Sequence, residues 1–267
     1  MHGMTIYQLE VVLRSGRVAQ GVLLVIIGIL TVYALEKAKR RPEAIKVRKI
    51  PAIDAFEEAV GRATEMGRPV FYTPGMSGLG SLTTLSALSI LDYVARLTAR
   101  YNVPIIVANR NWVVYQVAEG IVKNAYLAEG KADQFNPEMV RYIASWQFAF
   151  AAGCLGIFFR ERPAANFYMG YYYAESLELA ESGYRIGAVQ IAGTTSTAQL
   201  PFFVAACDYV LIGEELYAAA AFLARDPKIV GVLLAHDLSK ILTLAIILIG
   251  AIAITAGSTI ILDILSK

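Results

Sequence analysis

The sequence predicts an α/β fold: an open, mostly parallel sheet with helices on both faces, flanked by one transmembrane helix at each end. Three observations predict it. A long uncharged run lies near each end of the chain. Between them, short β-rich runs alternate with stretches of helical periodicity. The chain is also 57% hydrophobic with a mean hydropathy of +0.52, more apolar than 267 residues need to fill a soluble core.

The first uncharged run, VAQGVLLVIIGILTVYAL, extends from Val18 to Leu35. At about 1.5 Å of rise per residue, a helix of that length nearly crosses a hydrocarbon core of roughly 30 Å. The second, ILTLAIILIGAIAITAGSTIIL, extends from Ile241 to Leu262 and holds Gly250 and Gly257 for close helix contact. Arg14 and Arg17 precede the first run as they would in a secretory signal. The cluster Glu36-Lys37-Ala38-Lys39-Arg40-Arg41, however, stands where a small-residue cleavage motif would follow, so the segment is expected to remain as an anchor. Basic residues also mark the inner flank of both spans: Lys46, Arg48 and Lys49 extend the first cluster, and Arg225, Lys228 and Lys240 precede the second run. Positive flanks face the cytoplasm. The expected organisation is a short segment 1–17, a span 18–35, a cytoplasmic α/β domain 36–237, a span 241–262 and a tail 263–267.

Within the central domain, Asp54 and Glu57 have the form of a capping box ahead of the helix DAFEEAVGRATEM, which Gly67 stops. Arg68 to Thr73 reads as a strand ending in the turn Pro74-Gly75, and Ser81 can cap the helix SLTTLSALSILDYVARLTARY, with Leu82, Leu85, Leu88, Leu91 and Ala95 as its buried face. Pro104 to Ala108 is a strand covered on both sides, followed by a helix from Trp112 to Gly130. Ala188 to Ala192 and Tyr209 to Gly213 are further strands, with helices from about Thr197 and from Glu214. Asn136-Pro137 and Pro163 should each start a helix, the latter ending near Gly183. No charge interrupts Tyr142 to Phe159, which admits a core helix, a strand or a membrane-associated segment. A core helix fits best, because one extra span would place the two ends of the domain on opposite sides. This strand-helix alternation describes a Rossmann-like three-layer arrangement.

The remaining composition narrows the chemistry. With a net charge of +2, no basic field recruits nucleic acid. Cys154 and Cys207 sit in apolar runs without short spacing and suit buried free thiols. The only histidines are His2 and His236, so no histidine-based metal site is expected.

In open parallel sheets, ligands collect at the strand carboxyl ends, where loops and helix N-termini offer free N–H groups. The expected crevice is therefore built from Thr73, Gly75, Ser77, Gly78 and Gly80 in the first loop, Asn109 and Arg110 in the second, Thr194 and Thr195 in the third, and Glu214 and Glu215 in the fourth. Gly75, Gly78 and Gly80 permit a backbone turned toward an anion, yet their G-x-x-G-x-G spacing is neither the dinucleotide fingerprint nor a P-loop. An esterase elbow fails because Leu79 takes its last glycine position. A tight strand-to-helix turn accounts for the same glycines. Thr194 and Thr195 read as a hydroxyl cradle or as helix caps, and Glu214 and Glu215 as ligand or proton-transfer groups or as first-turn acids favoured by the helix dipole. Arg110 reads as a phosphate contact or an exposed loop residue. The aromatics Phe167, Tyr168, Tyr171, Tyr172 and Tyr173 serve core packing or a contact surface.

The stretches Gln190 to Thr194, Gln199 to Phe203, Ala206 to Tyr209 and Leu211 to Ala218, with Gly78-Leu79-Gly80, Pro104 to Arg110 and Arg160 to Phe167, resemble a prokaryotic membrane-protein domain family of unknown function. The resemblance implies membrane association and attaches no activity, cofactor or catalytic residue. The expectation is a membrane-anchored cytoplasmic binding or assembly module, homo-oligomeric, with the lipid bilayer as partner and room for a small anionic ligand. The alternative is a membrane-bound enzyme acting on a nucleotide-like or phosphorylated small molecule. A channel ranks third, because two uncharged helices form a pore only by oligomerising.

Overall fold

The computed structural model describes residues 18–40, 51–224 and 227–257. The segment 1–17 with Arg14 and Arg17, the basic residues Arg41, Lys46, Arg48, Lys49 and Arg225, and positions 258–262 of the second expected span lie outside the described residues. The chain divides into two units, Val47–Ile229 and the two ends, Met1–Lys46 with Val230–Lys267.

The unit of the two ends holds α1 (Val18–Arg40) and most of a long final helix, Pro227–Thr255. Its two candidate spans, Ala19–Arg40 and Ile229–Thr255, are 22 and 27 residues long and nearly unburied. By length and composition each is sufficient to cross a membrane. They approach closely where side chains are small: a Cβ on Gly231 would lie 3.0 Å from the Leu35 Cα and 3.2 Å from the Ala38 Cβ. Ala34 and Ala38 are fully covered.

In the other unit the elements run α2 (Asp54–Met66), β1 (Val70–Gly75), α3 (Leu82–Tyr101), β2 (Ile105–Asn109), α4 (Trp112–Ala128), β3 (Val140–Tyr142), α5 (Gln147–Glu161), β4 (Ala165–Tyr171), α6 (Glu175–Arg185), β5 (Val189–Thr194), α7 (Leu200–Ala206), β6 (Tyr209–Ile212) and α8 (Glu215–Ala224). All strand pairings are parallel, and the six-stranded sheet has the order β3-β2-β1-β4-β5-β6. That order reverses between β1 and β4, the switch point of a Rossmann-like sheet. Successive strand residues face opposite layers. Tyr72 and Phe167 stack on one face, where Phe56 of α2 meets Phe167 at 5.2 Å and the Tyr72 hydroxyl donates to the Ala87 carbonyl of α3 at 2.5 Å. Phe71 and Tyr168 point the other way, into a core with Phe150 and Phe158 of α5, Leu179 of α6 and Phe203 of α7. α2, α3, α4 and α8 thus cover one face, and α5, α6 and α7 cover the other.

Several sequence expectations change. Six strands stand where four were expected. Asn136-Pro137 opens only a short 3-10 turn, Pro137–Met139, which feeds β3. Pro163 precedes a strand rather than a helix: Ala165 to Tyr171 pair in parallel with β1 on one side and, through Met169, with β5 on the other, and the helix begins at Glu175. No capping box forms at α2, because the 3-10 turn Pro51–Ile53 leads straight into it and puts helical Ile53 at the N-cap. α7 starts at Leu200 with Gln199 at its N-cap, so Thr197 caps nothing there. Leu85 is 44% exposed, and the buried face of α3 turns instead through Ala87, Leu88, Ile90, Leu91 and Val94. Tyr142 to Phe159 holds most of α5, a core helix burying Phe150, Ala151, Cys154, Ile157 and Phe158.

Candidate functional site

The carboxyl ends of β1 and β4 would frame a crevice at the switch point, but the two backbones stay in contact there. Met76 N–H donates to the Tyr171 carbonyl at 2.8 Å. Gly75 has φ of +81°, and a Cβ on it would fall 2.7 Å from the Tyr171 carbonyl oxygen. Gly170 has φ of +135°, and a Cβ there would fall 2.2 Å from the Pro74 oxygen. Both positions therefore require glycine, because only a backbone without side chains fits the approach. Buried Thr73 sits beneath, its hydroxyl accepting from Gly75 N–H at 3.4 Å and its carbonyl from the Tyr172 hydroxyl at 3.2 Å.

Beyond this staple, the loop turns into α3. Ser77 and Gly78 are half-buried and Gly80 is exposed. A Cβ on Gly78 would lie 3.4 Å from Asn111 Nδ2, while one on Gly80 would meet nothing within 4 Å. Ser81 takes the N-cap position of α3 without a side-chain cap bond, so the N-terminal turn of α3 is not closed by a hydroxyl as the sequence suggested.

Over β2, the Arg110 guanidinium works as a clamp. Its Nη1 donates to the Met76 carbonyl at 2.8 Å and its Nε to the Ser145 carbonyl at 2.7 Å, tying the β1 and β3 loops together. Asn109 is fully buried; its Nδ2 donates to the Val107 carbonyl at 3.2 Å, and its Oδ1 has no partner. Asn111 caps α4, its Oδ1 accepting from Val113 and Val114 N–H at 2.9 and 3.1 Å.

On the other side of the switch point, Thr194 is buried and its hydroxyl accepts from Ser196 N–H at 3.1 Å, closing its own turn. Thr195 reaches across to α3: its hydroxyl lies 3.2 Å from that of Thr83, which lies 3.1 Å from the Tyr217 hydroxyl of α8. Glu214 and Glu215 are exposed at the sheet edge, and Glu215 folds back to accept from Ile212 N–H at 2.9 Å. Four of the eleven candidate residues fall into two groups. Gly75, Gly78 and Arg110 gather above β1 and β2, and Thr195 joins Thr83 and Tyr217 above β5.

Sequence reasoning missed Gly170, Tyr171, Thr83, Tyr217 and Ser145, which complete these contacts. It also missed Glu175, a fully buried carboxylate accepting from Tyr173 N–H at 2.8 Å and Gln147 Nε2 at 2.6 Å. Neither its place in a first helical turn nor its burial was legible, because the expected helix began at Pro163. Of the aromatic run, Phe167, Tyr168 and Tyr172 are core, Tyr171 is half-buried and Tyr173 is exposed. Burial pushes the Tyr72, Tyr168 and Tyr172 hydroxyls and the free Cys154 and Cys207 thiols well above their ordinary values. Among the described residues, no group of three or more His, Cys, Asp or Glu side chains gathers where it could hold a metal ion.

Residues 9–265 match the family profile described as Domain of unknown function (DUF6754). The chain belongs to that family. The match takes in both candidate spans and the whole α/β unit, so the terminal helices are part of the family's pattern rather than additions to it. No curated protein and no solved structure matches the chain.

Proposed function

We propose that this DUF6754 chain is a membrane-anchored binding or assembly module that works as a homo-oligomer, with its α/β unit on the cytoplasmic side. The observation that carries this reading is where the strand-end groups go. The groups a switch-point enzyme would turn toward a substrate are bonded to the protein itself: Met76 N–H to Tyr171, Arg110 to Met76 and Ser145, Thr194 to Ser196. Such bonds hold loops in place and favour a rigid scaffold over a reaction site. The anchoring rests on the two apolar helices, and the orientation on the basic residues at their inner flanks, Lys37, Lys39 and Arg40 among them.

The membrane part is tested by alkaline carbonate washing of vesicles and by protease treatment of right-side-out spheroplasts. The chain should stay in the membrane fraction, and the α/β unit should be protected. Release by carbonate would refute the anchors, and digestion from outside would refute the orientation.

A second reading, an enzyme on a nucleotide-like or phosphorylated small molecule, is favoured by one observation. α3 starts at the switch point without a side-chain cap, so its first N–H groups face the loop as an anion site would require. A thermal-shift panel of nucleotides and sugar phosphates separates the two. Selective stabilisation of the full chain, abolished by Gly78→Trp, supports the ligand-dependent reading, whereas a flat panel supports the scaffold.

A further inference from the structure

We infer that the flank of the α/β unit around the β3 edge is the docking surface for a second copy of this chain; the inference rests on the assembly reading above and names its surface and partner. Both tryptophans of the sequence lie on this flank and are open to solvent, Trp112 at 55% and Trp146 at 80% exposure. Around them stand Tyr142, Phe148, Val113 and Val117, also exposed. The Trp112 ring packs edge-on to Tyr142 at 5.4 Å, and Arg110 fixes the backbone of Ser145, the neighbour of Trp146, beside the start of α4.

Size and composition select the partner. Aromatic side chains carry about 150–250 Å² each, so the four rings leave on the order of 500 Å² uncovered. The two valines bring the patch to about 600 Å², the upper end of what a monomer exposes. A standard interface takes about 800 Å² per partner, a little over half of it apolar, so this patch alone supplies the apolar share. Its composition, aromatic with no charge between Tyr142 and Phe159, is that of an interface core. β3 is three residues long with no strand on its outer side among the described residues. A hollow of about 450 Å³ lined by Tyr115, Pro137, Glu138, Val140 and Arg141 opens on the same flank and can seat a protruding side chain.

A two-fold contact would oppose like flanks, α4 against α4. The exposed stripe of α4 runs Val113, Val117, Gly120, at the spacing of one helix face. A Cβ on Gly120 would meet nothing within 4 Å. Glycine is disfavoured inside an exposed helix, and no described residue requires it there, whereas a crossing helix would. Two anchors confine every copy to one plane, which raises the local concentration for such a contact.

The test uses the full chain in nanodiscs of phosphatidylcholine and phosphatidylglycerol, with copy number read by single-molecule photobleaching. Wild type should show two copies, and Val117→Arg combined with Trp146→Glu should weaken association at least tenfold while leaving the circular-dichroism melt unchanged. Gly120→Cys should form a disulfide-linked dimer under mild oxidation, while Tyr184→Cys, at a 72%-exposed site on α6, should not. An oligomer indifferent to the double substitution and lacking the Gly120→Cys cross-link would overturn this surface while leaving assembly intact. A wild-type monomer would overturn both. Strong quenching of wild-type tryptophan fluorescence by brominated lipid would assign the patch to the bilayer and overturn the inference as well.

Discussion

At the scale of single residues, glycine carries the unusual demands of this fold. Gly170 combines a positive φ with a carbonyl oxygen 2.2 Å from where its Cβ would stand. Backbone cannot swing aside as a flexible side chain can. Gly170→Ala is therefore expected to destabilise the chain by about 3 kcal/mol, through strain and overpacking together. A thermal melt of the detergent-solubilised chain checks this, and a melt within a degree of wild type would show that the two strands separate more easily than described. Gly183 is tight for another reason: its absent Cβ leaves room for Gln190 Oε1, Asn166 Nδ2 and the Tyr168 hydroxyl, a buried polar cluster under α6. The sequence displayed these glycines without distinguishing them. Gly75 stood out in its loop, but the partner that explains it, Gly170, lies in a segment whose helical reading hid it. A local pattern cannot reveal a contact between positions this far apart.

At the scale of elements, legibility followed length and periodicity. α2 was legible with its observed bounds, and α3 and α4 with nearly theirs, because each shows a long amphipathic run with a stop signal such as Gly67 or Asn102 in the left-handed conformation. β3 and β4 were not. β3 is too short for alternation to register, and β4 follows Pro163, whose reading as a helix start carried the expected helix across it. The caps were the least legible features, since the Asp54 box and the Ser81 cap do not form, while Asn111 caps α4 with two bonds. Asn111→Ala should cost about 1 kcal/mol. Denaturation of the detergent-solubilised chain reads that loss, and Asn111→Ser should recover most of it. An unchanged midpoint for both would mean that packing alone sets the start of α4.

At the scale of the whole molecule, the buried acids set how the protein answers alkali. Burial pushes up the Cys154 and Cys207 thiols and the Tyr72, Tyr168 and Tyr172 hydroxyls, and Tyr93 is pushed up to about 12, by burial first and then by its hydrogen bond to the Glu57 carboxylate. In the unfolded chain these groups ionise near their ordinary values, about 8.5 for cysteine and about 10 for tyrosine. Above those values the unfolded state binds fewer protons than the folded one, so stability falls as pH rises. The contribution is fully present below about pH 8.5. It is lost first through the thiols and then, above about pH 10, through the tyrosines. Melting temperature measured from pH 7 to 11 should decline with increasing slope, and a level profile across that range would contradict the burial of these groups.

The staple between β1 and β4 also bears on how the chain is made. β1 ends at Gly75, and its central neighbour is complete only at Tyr171. A ribosome adding roughly 5–20 residues per second needs about 5–20 seconds to deliver the intervening segment. Throughout that interval the edge of β1 that will receive β4 stays bare. Nascent chains halted within α5 should consequently be the form most exposed to proteolysis and to chaperones.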